Sequence, residues 1–577
     1  GYQRLVLHSV ALVRGGQRID KLDASRVKLL HREPQLERQM IDGRMTAALV
    51  LDDVRVGDRI DFAYSVIGDN PVFAGRFVDT DWTIGGLGPA ALYRYRLLAP
   101  AARSIRHRAG DPAVQVSSTL RGDERETLFV RRLTPAFRFE PTAPGDATLK
   151  DQLQLSEFAD WADVARWAEQ LFASAAQPGP GVLERAQALR AAHADPAEQL
   201  RAALDLVQTE VRYFGTEIGA NSHQPAPAEQ VLRQRFGDCK DKVALLMALA
   251  RALDLPAQPL LVSTRYQGGV QGMLPSPLAF DHAIAGVTLG GQVLWLDGTR
   301  SQQTGPAAGR QPVGLGHGLP ARADTTALVA LPGTTDALRI EAEDLFRFDQ
   351  PMATGLTLES RETFHGDLAE MVRGARDGLS AADFSQQVAA DHLRTYPGLA
   401  TDGLATLTEV PGRNAVTVSQ RYRWAEPWRF PQQRQLVMDF AMPTLIGALR
   451  LPDQNPRTLP LRIAYPGVYR QVLRFEFGEP VFAKPASQRN EDKHPAFQLA
   501  LRIDGTTTSQ RIEAELRQSA DRIAPADWAR HRDALIKVWP RLTNVLTLAA
   551  LSTPQAEALR GRFVALDDDL RRGRLKA

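Results

Sequence analysis

The chain has 577 residues, 44% of them hydrophobic and 24% charged, which is the composition of an ordinary folded protein and too long for one core. Its 70 Lys and Arg stand against 67 Asp and Glu, leaving +3 with no dense basic block, so no nucleic-acid partner is expected. A single cysteine excludes an internal disulfide framework and any multi-thiolate zinc site.

No apolar run approaches the roughly 18 residues needed to cross a bilayer, so no transmembrane segment is expected. The opening residues, GYQRLVLHSV, lack the regions of a signal peptide and an initiator Met, as a trimmed or mature form would.

Residues 1–150 alternate in short runs such as RIDFAYSVIG (59–68) and ALYRYRLLAP (91–100), broken by turn clusters. This predicts a β-rich, sandwich-like domain with Trp82 and Phe73 in its core. From 151 to 325 the period changes. EFADWADVARWAEQLF (157–172) places Trp161, Val164, Trp167 and Leu171 at helical steps. A second helix is expected over 182–193 and a third from Asp195-Pro196, an N-cap followed by a first-turn proline. From 326 to 577 strands return, at 338–349, 355–366, 415–426, 471–479 and 507–520. Helices are expected at 380–393, 526–539 and 554–572.

The lone cysteine sits in RQRFGDCKDKVALLMALARALDLP (233–256). Downstream, Val243, Leu246, Met247, Leu249, Ala250 and Leu253 have helical spacing, and Pro256 ends the run. Gly237 and Asp238 supply a turn and an N-cap, so Cys239 lies in the first turn, where free N–H groups and the helix dipole favour a negative charge. A free thiol with a pKa near 8.5 is about 3% thiolate at pH 7, and this placement raises that fraction. Lys240 and Asp241 read as solvated first-turn residues.

A nucleophile needs a base, and the base an orienting group. In FDHAIAGVTLGGQVLWLDGTR (280–300), Gly290-Gly291 marks a two-residue hairpin turn. Pairing Leu289 with Gln292 puts His282 opposite Thr299. Asp297 then shares a sheet face with His282, on a diagonal of roughly 7–8 Å, while alternation points Asp281 the other way. Cys239 as nucleophile, His282 as general base and acid, and Asp297 as orienting carboxylate form a catalytic triad in outline. The Cys239 amide is one oxyanion donor by geometry; Gln224 and Tyr213 are chemically able to supply a second. The Gly- and Pro-rich stretch 265–280 is expected to border the site.

His223 has no second ligand at metal spacing, and neither a phosphate loop nor a serine elbow occurs, so no metal and no cofactor are expected.

The order Cys at a helix start, His on a strand and Asp on the next strand resembles the transglutaminase-like branch of papain-fold thiol enzymes. Residues 212–253 look like transglutaminase-like domains of bacterial envelope proteins, in which a Gly-Asp-Cys-Lys-Asp stretch carries the nucleophile. The resemblance implies an α+β multidomain fold: a β-rich domain of unknown function (1–150), a papain/transglutaminase-like catalytic domain (151–325), and a β-rich C-terminal domain with terminal helices (326–577). It also implies a periplasmic or exported setting, with flanking β domains as candidates for binding envelope partners.

The expected activity is thiol-dependent acyl transfer on a protein or peptide substrate, with hydrolysis ahead of transglutaminase-type cross-linking because excluding water needs a closed tunnel. A non-catalytic envelope scaffold that retains the triad is the alternative from another class.

Overall fold

Strand-forming alternation at both ends of the chain and helical periods in its middle produce an α+β protein with a β-rich N-terminal region, a helical and mixed centre, and a β-rich C-terminal part with helices. The structure, a computed structural model, describes residues 2–82, 89–134, 140–348, 355–429, 436–450, 456–478 and 480–548. The helix expected at 554–572 lies outside the described residues. No helix among those described is long and apolar enough to cross a membrane.

The chain forms two compact units, one of residues 1–139, 145–301 and 306–332, the other of residues 140–144, 302–305 and 333–577. In the first, strand Arg4–Arg14 pairs antiparallel with Arg59–Ile67 and Gln17–Asp20. Glu124–Thr134 lies between Ala90–Pro100 and Gln115–Arg121. Leu153–Ser156 joins Val78–Asp81 and Arg106–Ala109, and its Leu153 and Leu155 pack with Phe129 and Val114. Phe73 is buried as expected, but Trp82 is not core: it is 38% exposed, with the Arg265 guanidinium 4.2 Å over its ring. An indole satisfied by a cation on its face does not need burial.

The centre of this unit stacks helices against a five-stranded antiparallel sheet. Helix Trp161–Ala175 starts at the Asp160 cap, Pro180–Ala192 follows, and Pro196–Asp205 starts at the Asp195 cap. The sheet order is Gln292–Leu296, His282–Leu289, Ala257–Val262, His317–Pro320, Val329–Ala330. Helix Cys239–Ala252 has Val243 through Ala250 all buried between that sheet and the other helices, which anchors its first turn.

The second unit is built on a nine-stranded sheet in which Leu338–Phe348 runs parallel to Val468–Phe477 while its other described pairs are antiparallel. Alternate residues of these strands make one face the core, where Phe346 stacks on Phe475 at 4.9 Å and Phe348 on Phe477 at 4.3 Å. Helices Ala381–Thr395 and Trp528–Val538 appear where expected; Asp367–Gly378 is an additional helix.

Candidate active site

Each residue of Gly237-Asp238-Cys239-Lys240-Asp241 has a separate physical task. Asp238 caps the helix, accepting from the Lys240 amide at 3.2 Å, and the Asp241 carboxylate returns to the Asp238 amide at 3.1 Å. The two together form a capping box. Asp241 also accepts from the Ala226 amide at 2.7 Å. Gly237 is required by this arrangement, because a Cβ there would meet the Asp241 Cβ at 2.7 Å. Lys240 is not solvated: it is buried, and its ammonium pairs with the Asp238 carboxylate. Burial opposes the charge on Lys240, yet Asp238, together with Cys239 and Asp241, raises its pKa above the ordinary value.

Cys239, half-buried, is the first residue of this helix, so its amide has no intrahelical acceptor and remains a free donor beside the sulfur.

The hairpin supplies the partners. Gly290 and Gly291, at φ 57° and 80°, make the tight turn that positive φ permits, and the pairs Leu289–Gln292 through Ala285–Leu296 follow the predicted register. Pairing ends there, and Asp297 turns in just past the strand. His282 Nε2 donates to Asp297 Oδ2 at 2.9 Å. The Cys239 side chain also acts on the His282 ring and helps to raise its pKa, and with Nε2 occupied the nitrogen left for sulfur is Nδ1. Asp281 is used elsewhere, accepting from the Thr264 amide at 2.7 Å and the Arg265 amide at 3.2 Å.

Asp297 is held from several sides. Its Oδ1 accepts from the Thr299 amide at 2.9 Å and hydroxyl at 2.7 Å, and its carbonyl accepts from Gln208 Nε2 at 2.9 Å. Burial would raise its pKa, but the His282 charge and the hydrogen bonds from His282 and Thr299 drive it well below the usual carboxylate range. For His282, burial works against the imidazolium, while the Asp297 charge and hydrogen bond and the contact with Cys239 hold its pKa well above the ordinary 6.5. The geometry suits an imidazolium facing sulfur.

Two supports were not legible as such in the sequence. Lys242 is 1% exposed, and its ammonium donates to the Gly298 carbonyl at 3.1 Å, bracing the turn that carries Asp297. The N-terminal region also reaches the site. Met40–Ile41 pairs in parallel with Gly215–Thr216, and Met40 Sδ accepts from the Tyr213 hydroxyl at 3.8 Å. A Cβ on Gly215 would lie 3.1 Å from Met40 Cγ and 3.4 Å from Asp238 Cβ, so Met40 packs within a side chain of the Cys239 turn. A segment this far away in sequence gives no local signal.

Of the two second-donor candidates, Gln224 is exposed, whereas Tyr213 is partly buried and feels the site: burial first, and then the charge of Cys239, raises its phenol pKa. The stretch 265–280 packs on itself, with Tyr266, Val270, Met273 and Ala279 buried beside Trp161 and Phe280. His223 packs edge-on against Phe73 and Trp167.

Residues 184–295 match the model of the transglutaminase-like superfamily. The middle of the chain is a transglutaminase-like domain. It is preceded by a DUF3857 domain of unknown function, matched over residues 1–138. No curated protein matches the chain significantly. Among solved structures, the chain is similar to a "putative protease" from Parabacteroides distasonis at 12% identity and a TM-score of 0.63, over 95% of this chain and 90% of that one. At that identity the likeness is one of fold. A "putative cysteine protease" from Cytophaga hutchinsonii, 13% identical over 37% of this chain and 72% of that one, superposes with a TM-score of only 0.15.

Proposed function

We propose that the transglutaminase-like domain is a thiol-dependent amidase or peptidase, with Cys239 as nucleophile, His282 as general base and acid, and Asp297 as the group that orients the ring. The observation that carries this reading is one imidazole that holds a carboxylate at 2.9 Å and has its pKa raised by the side chain of the chain's sole cysteine as well. A His–Asp pair alone would not suffice: buried His392 meets Asp344 at 3.0 Å in the second unit with no cysteine at hand.

In the first half-reaction the Cys239 proton passes to His282 Nδ1, the sulfur adds to the amide carbonyl, and the oxyanion takes the Cys239 amide. Tyr213, kept neutral by its environment, is the proposed second donor. His282 then returns the proton to the leaving amine, giving a thioester. In the second half, His282 removes a proton from water, hydroxide adds to the thioester, and the acid leaves as sulfur recovers its proton. An amine in place of water would yield a cross-link by the same steps. Hydrolysis is preferred because Cys239 is half-buried rather than enclosed, which suits attack by water on the thioester.

The substrate class proposed is a protein or peptide of the cell envelope, with the chain in the periplasm or exported. A lone cysteine, with no internal partner for mispairing, suits an oxidising space.

The test runs peptide hydrolysis beside incorporation of a fluorescent amine into a glutamine donor, for the native chain and Cys239→Ala. Hydrolysis lost in the variant supports the proposal. Amine incorporation without hydrolysis makes it a cross-linking enzyme, and neither activity on a broad peptide library favours the scaffold.

A further inference from the structure

The core face of the nine-stranded sheet is not filled to its end. The rows that carry Phe346 and Phe475 in the core continue through Ile340, Phe364 and Tyr469, and there they line a cavity of about 1000 Å³ in the second unit. Helices Asp367–Gly378, Ala381–Thr395 and Pro443–Ala448 form its other walls. Native cores leave few voids larger than a water molecule, and this volume reaches the upper range of small-molecule sites.

The charge of the lining says what would fill it. Arg450 and Arg462 line the cavity from exposed positions, and their side chains have no ion pair among the described residues. The acids of the lining are already engaged: Asp391 pairs with Arg394 at 2.8 Å, and Glu362 accepts from the Thr444 hydroxyl at 2.8 Å while burial raises its pKa.

We propose that this cavity binds a single-chain amphiphile with an anionic head, the chain lying along Phe364 and Val388 and the head at Arg450 and Arg462. Guanidinium groups with no ion pair among the described residues, set at an apolar opening, select an anion. This site is separate from Cys239 and stands whether or not that residue is catalytic.

The intact chain is titrated with dansyl-undecanoic acid, and the bound probe is challenged with palmitate, with palmitoyl-lysophosphatidic acid and with hexadecyltrimethylammonium. Saturable binding of one probe per chain, displaced by the anions and not by the cation, is expected. The stronger of the two anions tells a free fatty acid from a phospholipid fragment. Arg450→Gln with Arg462→Gln, at exposed positions that leave the circular dichroism unchanged, should raise Kd about tenfold or more. Val388→Trp should abolish binding. Absence of saturable binding, equal displacement by the cation, or an unchanged Kd in the arginine variant would overturn the proposal.

Discussion

The Nε2 of His282 lies 2.9 Å from the Oδ2 of Asp297, which is anchored through its other oxygen by Thr299, so the ring cannot turn without breaking a buried charged hydrogen bond. That single contact fixes the face the imidazole presents to Cys239, and it connects activity, pH response and stability at one pair of residues.

Asp297→Asn removes the charge that holds the imidazolium against burial. The basic limb of the kcat/KM profile should move to lower pH, and kcat should fall on the order of 10²-fold or more. The stability signs follow from linkage. The raised His282 pKa contributes fully below about 6.5 and is lost as pH rises through its folded value, whereas the lowered Asp297 pKa contributes above about 4 and is lost in acid. The wild-type advantage, about 3 kcal/mol for a buried pair, should therefore peak between roughly pH 4 and 6.5 in urea unfolding.

Lys242 gives a dependence of opposite sign. Burial lowers its pKa to about 8 against the pull of Asp297, so the folded chain binds fewer protons there than the unfolded chain. Relative to Lys242→Met, the wild type should gain stability between about pH 8 and 10.4, by on the order of 2–3 kcal/mol. Unfolding curves for the two proteins across that range measure the difference, and the His282 contribution, common to both, cancels.

Met40→Ala leaves the backbone pairing of Met40–Ile41 with Gly215–Thr216 intact but removes the sulfur that Tyr213 donates to. We expect kcat to fall severalfold with KM nearly unchanged, and stability to fall by about 1 kcal/mol for a partly buried methionine. An unmoved basic limb of the kcat/KM profile separates this from the Asp297→Asn result.

Local chemistry made much of the fold readable. Asp195-Pro196 and Asp238 start helices because a short acidic side chain satisfies exposed first-turn amides. The Gly-Gly turn sets a register from which the His282 diagonal to Asp297 follows by counting. Long-range burial was the hidden part. Lys240 looks like a surface residue until the fold encloses it with Asp238, and Trp82 looks like core until Arg265, far along the chain, covers its face. Met40 carries no sign of its destination, because parallel pairing across more than a hundred residues leaves no periodicity in either segment.

The most direct measurement is the rate of iodoacetamide alkylation at pH 6 in the native chain and in His282→Ala, where the single cysteine makes the site of reaction unambiguous. If an imidazole steered by Asp297 controls the sulfur, the native rate should exceed that of the variant by about tenfold or more. Equal rates in the two folded proteins, both rising only with ordinary thiol ionisation, would contradict it.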